Sequence, residues 1–299
     1  MVSTTRNWQF FSGVIVAWMI VEGTNVLRAE APANAASRQF AQLLDDAWEH
    51  GLENDPLFAT DIGDHRHDDR LPKVSLAEEA RDAAANREFV RRLEAIDRSQ
   101  LSASDQINYD IFGRSKREDL EEFKFQTYLM PVSDRWGFHI DFPELRRNLT
   151  FATVRDYENY IARLRAFGAY ADGYMDLMRE GVRQGVTVPA VIMQRFKEPI
   201  EAQIVDDPEK SLLYEPLQKF PTTISAADQE RLRGEAKAAI AVSIVPGYQR
   251  FLKFMGDEYV PNCRTTIAAS ALPNGRDYYR YCVHKYTTLD DMTPEEAHA

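Results

Sequence analysis

Cysteine is nearly absent: two residues in 299, Cys263 and Cys282, exclude both a disulfide-dense small scaffold and an all-cysteine metal centre. Positive charge is also short. Lys and Arg total 36 against 47 Asp and Glu, a net charge of −11, and the basic residues alternate with acidic ones instead of gathering into a patch. Such a surface repels a phosphate backbone, so nucleic acid is excluded as a partner, and so is attachment through a polybasic membrane surface. No apolar run reaches the length of about 20 residues that a helix needs to cross hydrocarbon, and no stable membrane span is expected. The Gly-rich phosphate loop, the dinucleotide fingerprint, the Gly-x-Ser-x-Gly elbow and the His-Glu-x-x-His zinc helix are all missing.

What is present begins with an address. Arg6 precedes an uncharged run from Asn7 to Val21, ended by Glu22, and Ala29-Glu30-Ala31 follows with the small-x-small pattern of a signal-peptidase site. The run suits the apolar core of a signal peptide, about 7–15 residues. Residues 1–31 are therefore expected to be a cleaved export signal, the mature chain to run from 32 to 299, and its location to be periplasmic or extracellular. An uncleaved amphipathic anchor is the alternative.

Beyond the signal the pattern is helical. Ser75-Leu76-Ala77-Glu78 is a capping box, with Phe89, Leu93 and Ile96 on one face behind it. From Thr153, apolar residues including Tyr157, Ile161, Leu164, Ala171, Met175 and Met178 recur at helical spacing up to Gly181 and Gly185. A third helix opens at Ser225 with Asp228 three residues on and meets Pro246, where it should kink or restart because proline has no amide to donate. Further helices are expected over 34–53, 103–124 and 189–203. Loops are expected at Asn54-Asp55-Pro56, Met130 to Pro143, Val205 to Pro221 and Tyr259 to Gly275. An all-α single domain is the simplest organisation.

Chemistry-bearing groups are few. Asp61, Asp64, His65, His67, Asp68 and Asp69 share one short stretch and are the right donors for a divalent ion, but Arg66 and Arg70 interleave and no second cluster completes a site; a solvated loop is the plainer account. Cys263 and Cys282 could bridge and tie down the 259–283 loop in an exported protein, or simply be small buried hydrophobes. The turn Pro273-Asn274-Gly275 is followed by Tyr278 and Tyr279, which could donate to a substrate oxyanion or carboxylate from a cleft wall, or pack their rings inward. Thr293-Pro294-Glu295-Glu296 is a strong helix start with three residues behind it, the pattern of a helix cut short.

The succession Leu272-Pro273-Asn274-Gly275, Tyr278-Tyr279, Thr287-Thr288 and Thr293-Pro294-Glu295-Glu296-Ala297-His298 resembles the bacterial DUF885 family. So do Pro56-Leu57-Phe58-Ala59-Thr60 with Gly63, Tyr160 with Arg163-Leu164, Gly185 with Pro189, and Pro246 with Tyr248. The resemblance implies a largely helical, exported, zinc-peptidase-like hydrolase whose metal helix carries a His-Glu-x-x-x-Gly-His-His type motif downstream of the Thr-Pro-Glu-Glu helix. That motif is not in these residues, so no zinc ligand or general base carries over to any position here. Zinc is expected only for a full-length family member, and this chain is expected to be the N-terminal portion, truncated and inactive alone. What the resemblance offers is a substrate-cleft role for Asn274, Gly275, Tyr278 and Tyr279, with a peptide substrate and a downstream metal-binding half as partners. The alternative is a non-catalytic exported helical protein that binds a peptide or partner.

Overall fold

The computed structural model describes residues 34–289 and 291–298; the expected export signal lies outside them. Among the described residues there are eleven α-helices and no strand, only an isolated bridge between Pro189 and Arg264. In chain order the helices are α1 (Ala35–Asn54), α2 (Pro56–Asp61), α3 (Leu76–Glu94), α4 (Ala103–Phe125), α5 (Phe138–Glu144), α6 (Val154–Gln184), α7 (Lys197–Glu201), α8 (Ala226–Ala239), α9 (Val245–Phe254), α10 (Gly275–Thr287) and α11 (Pro294–His298). The all-α class expected from the periodicity is the observed one.

Helix starts follow the capping chemistry. The Ser75 hydroxyl accepts from the Glu78 amide at 3.2 Å. Both halves of a capping box are made at α6: the Asp156 amide donates to Thr153 Oγ1 at 3.3 Å, and the Thr153 amide to Asp156 Oδ2 at 2.8 Å. Gly185 ends α6 with φ of 72°, a left-handed residue that lets the Val186 amide reach back to the Gly181 carbonyl at 2.8 Å. Two expected loops run into helices. Asp55 caps α2 by accepting from the Phe58 amide at 3.0 Å, with Pro56 as the first helical residue. Within Met130 to Pro143, Phe138 begins α5, which carries Pro143 in its last turn. The 189–203 helix, by contrast, is a 3-10 turn Ala190–Met193 followed by the five-residue α7.

The restart expected at Pro246 takes a different form. The rod continues from α8 into α9 through a π-turn, Ile240–Ile244, in which the Val245 amide bonds to the Ile240 carbonyl. The widened turn places the ladder gap before the proline, where Val242 is 75% exposed and water can serve the freed carbonyls. Ser243, inside this turn, accepts from the Gly168 amide at 3.0 Å and donates to the Arg165 carbonyl at 3.0 Å, so one hydroxyl joins the ladder of α6.

The chain groups into two compact units, one running through Gly51 and including Glu79–Phe125, the other comprising Leu52–Glu78 and Gln126–Ala299. The first has its own core of Phe40, Leu43, Phe89, Leu93, Ile96, Leu101 and Phe112. The second is centred on α6, against which α8, the π-turn and α9 pack. Its core is aromatic: Phe138 stacks on Tyr174 with centroids 4.7 Å apart, meets Phe251 edge-on at 4.8 Å, and Phe167 stacks on Tyr248 at 4.7 Å. Each such pair adds about 0.5–1.5 kcal/mol beyond area burial.

Candidate functional site

One arginine organises the start of the second unit. Arg163 on α6 is fully buried, and its guanidinium donates to the Arg70 carbonyl at 2.9 Å, the Pro56 carbonyl at 3.0 Å, Thr60 Oγ1 at 2.6 Å and the His67 carbonyl at 3.3 Å. The 56–70 segment is thus strung around a single side chain. Burial pushes the Arg163 pKa down, and nearby carboxylates, Asp68 first at 4.0 Å, oppose that shift.

Beside this hub lies a cavity of about 420 Å³ whose wall includes Thr60, His65, Asp68, Asp69, Arg155 and Asn159. Two buried atoms close to it have no hydrogen-bond partner, Asn159 Oδ1 and Arg163 Nη1. The titratable groups around them are already engaged. His65 Nδ1 is 2.8 Å from Asp68 Oδ2, His67 Nδ1 faces the Arg70 guanidinium, and Arg66 holds Asp64 through bonds of 2.9 Å from Nε to each carboxylate oxygen. The Arg66 guanidinium and amide pull the Asp64 carboxyl down to about 2. Among the described residues no three His, Cys, Asp or Glu side chains come together as a metal site. The 61–69 stretch does not fit the zinc that the family resemblance implies, because Asp64 is held by Arg66, His65 by Asp68 and His67 by Arg70, while Asp61 bonds Asn148.

The second locus is α10 and the turns at its base. Asn274 takes the left-handed conformation, φ 54°, immediately before the helix. Gly275 does not share the positive φ that a Pro-Asn-Gly turn suggests; it is buried, and a Cβ there would stand 2.3 Å from the Ala269 carbonyl oxygen. Its small size, not its conformational freedom, is what the site uses. Tyr278 and Tyr279 lie on the first turns of α10, both half-buried. Arg264 sits close enough to Tyr278 for the phenol to raise its pKa against the stronger lowering by burial. Of the two cysteines, Cys263 is buried, and burial pushes its thiol pKa up to about 11. Arg264 ties the loop, donating from Nε to the Thr187 carbonyl at 3.0 Å and to the Ala268 carbonyl from Nη1, while its own carbonyl accepts from the Ala190 amide at 2.8 Å.

The structure brings together several segments that are far apart in sequence and carry the family resemblance. Pro56 and Thr60 meet Arg163, the Tyr160 hydroxyl donates to the Leu213 carbonyl at 2.8 Å, and the Tyr248 hydroxyl donates to the His139 carbonyl at 3.1 Å. These are ties between helices. The roles of Arg163, Arg264 and Ser243 escape a reading of periodicity alone. For Arg163 a signal exists: it falls three residues after Tyr160 and four before Phe167, within the stripe that the helix buries.

Among the described residues no helix is long and apolar enough to cross a membrane. A solved structure described as "the putative lipoprotein from Colwellia psychrerythraea" shares the fold with a TM-score of 0.78 at 17% identity; the match covers 88% of this chain and 48% of that one. The chain thus spans about half the length of that relative. No curated protein matches it. The family model for "Bacterial protein of unknown function (DUF885)" matches residues 56–299, which takes in the Pro56 turn, the Arg163 hub and the whole of α10, and the chain belongs to the DUF885 family.

Proposed function

We propose that this chain is the helical scaffold portion of an exported, metal-dependent peptidase-like hydrolase and is inactive by itself. The observation that carries the proposal is the use to which the family-bearing side chains are put. Pro56, Thr60, Tyr160, Arg163 and Tyr248 are spent on joining helices, and none of them forms a nucleophile–base pair or a donor set. A scaffold of this kind positions chemistry supplied elsewhere, and a fold relative about twice as long leaves room for it. On this proposal Asn274, Gly275, Tyr278 and Tyr279 belong to the substrate-facing wall, with Arg264 beside Tyr278 as a fixed cation for a peptide carboxylate. The carry-over of zinc is confined to donors outside these residues.

The test is to purify residues 32–299 alone and together with the polypeptide encoded immediately downstream, and to assay both on a mixed peptide library with and without chelator. Hydrolysis is expected only with the downstream polypeptide and should vanish with chelator. Peptide hydrolysis by the chain alone, or one tightly held zinc per chain that is lost on changing His65 and His67 to Ala, would overturn the proposal. A downstream sequence with no His-Glu motif in any frame would leave the non-catalytic, partner-binding alternative.

A further inference from the structure

Three polar side chains stand in a row along α6 beside the cavity of about 420 Å³. Arg155, Asn159 and Arg163 recur every four residues, so they share one face over about 12 Å of helix. Exposure falls along the row: Arg155 is exposed, Asn159 half-buried and Arg163 fully buried. Each has a polar group to spare. Arg163 spends Nε and Nη2 on the 56–70 segment and leaves Nη1 buried with no partner, and Asn159 Oδ1 is likewise buried and unpartnered. The Arg155 side chain has no hydrogen bond or ion pair among the described residues. In the same cavity wall, the Asp69 carboxylate has only a distant ion pair, with Arg70 Nε 3.9 Å away.

The unspent groups along the helix thus run donor, acceptor, donor, with a further acceptor from Asp69. A hydroxyl donates and accepts at a single oxygen, so neighbouring hydroxyls on one ring can satisfy such a row. Charge points the same way. Arg66, Arg155 and His65 of the wall are set against Asp68, Asp69 and Asp156, and behind them Arg70 and Arg163 stand against Asp55, Asp61 and Asp64. The small excess of carboxylates works against an anion, and the unspent N–H groups of Arg155 and Arg163 offer nothing to a cation. Leu149 and the Tyr160 ring are the apolar side chains of the wall, too few to bury those of a peptide. The volume is more than one bridging water fills, at about 30 Å³ each, and lies in the range of small-molecule sites, about 300–1,000 Å³.

We propose that this cavity binds a neutral polyhydroxylated molecule of mono- to disaccharide size, whose hydroxyls pair with Arg163 Nη1, Asn159 Oδ1, Arg155 and Asp69. The inference does not rest on the hydrolase reading, and neither stands or falls with the other. The full chain is tested by saturation-transfer NMR and titration against glucose, galactose, xylose, N-acetylglucosamine, sucrose and maltose, with Ala-Ala and inorganic phosphate as the contrasting probes. At least one of the sugars is expected to bind with a Kd of about 1 mM or tighter. Asn159→Leu, which removes the acceptor at similar volume, should weaken that sugar by about tenfold with no loss in the urea midpoint. Arg155→Gln, at the exposed end of the row, should weaken it by about threefold and cannot disturb the core. Arg280→Gln on α10, an exposed arginine elsewhere, should leave binding intact. Arg163 is kept because it holds the 56–70 segment.

No sugar bound at about 10 mM would overturn the proposal and leave the cavity to solvent. Sugar binding that survives both Asn159→Leu and Arg155→Gln would place the ligand elsewhere and overturn it as well. Binding of Ala-Ala in preference to every sugar, abolished by Asn159→Leu, would make this a peptide site. Phosphate binding lost in Arg155→Gln, with no sugar bound, would make it an anion site.

Discussion

Arg163 has the largest expected effect of any single side chain outside the apolar core. It is fully buried, and its bonds run to three main-chain carbonyls and one hydroxyl, groups that would otherwise be stranded away from water. Arg163→Met should cost about 3–5 kcal/mol, read as a lower midpoint in urea unfolding. Arg163→Lys should recover little, because one ammonium cannot reproduce a planar fork that reaches residues 56, 60, 67 and 70. A Met variant as stable as the parent would show that the 56–70 segment holds itself. Two glycines make a second comparison. Gly275→Ala meets a carbonyl that has no room to yield and should destabilise by about 1–3 kcal/mol, while Gly234→Ala, inside α8 with nothing within 4 Å, should stabilise by about 0.5–1 kcal/mol. Thermal melts of the pair should shift in opposite directions.

Elements were legible where a cap and a period coincided. Ser75, Thr153 and Ser225 each mark a helix start that the structure keeps, and the apolar recurrence from Tyr157 onward describes the buried face of α6. Elements were lost where the signal was short or mixed. Asp55-Pro56 is a cap followed by a first-turn proline, but six residues show no period. In α10 the Tyr-rich sequence hides a helix, because aromatic residues are weak helix formers and the preceding Pro-Asn-Gly draws attention to the turn. The π-turn was not legible at all, since it is set by the meeting of Ser243 with α6, a contact across 75 positions. Ser243→Ala removes the hydroxyl that bonds both the Gly168 amide and the Arg165 carbonyl and should cost about 1–2 kcal/mol; Ser243→Thr, which keeps the hydroxyl, separates that loss from a packing defect. Urea midpoints of the two variants should rank Thr above Ala.

At the level of the molecule, the candidate site divides into what residue types can announce and what only folding assembles. Tyr278, Tyr279 and the 61–69 cluster could be named from the sequence; the engagement of each imidazole and carboxylate of that cluster could not, because it depends on local turns around Arg163. The two compact units also left no trace in composition, as no low-complexity or glycine-rich linker marks their boundaries. Acid response is a whole-chain property. Asp64 and Glu180 are held down to about 2 by Arg66 and Arg183, and Asp228, Glu235 and Glu258 are lowered by arginine or serine partners. Each has a folded pKa below its unfolded value, so the unfolded chain takes up protons first as pH falls. Their contribution is present above about pH 4.5 and is lost progressively towards pH 2. Melting temperatures between pH 6 and pH 2.5 should fall less steeply for Glu180→Gln than for the parent, and the difference should shrink in high salt because the pair is exposed. Identical slopes would mean that the pair contributes nothing in solution.

The π-turn between α8 and α9 makes this rod tolerant of one change in its residue count. Ile240–Ile244 holds one residue more than an ordinary turn would, and the wider turn takes up that residue while the helices on either side keep their facing. Removing a single exposed residue there, Val242, would let the turn close to α with Tyr248 and Phe251 still directed at Phe167 and Phe138. Val242→Ala should be nearly silent, and deletion of Val242 should keep a cooperative urea transition; loss of cooperativity would show that the wide turn itself is required. By the same geometry, a homologous protein with a plain α-helix in this position would align with a one-residue gap at 240–244, and such a gap keeps the phase between two helices.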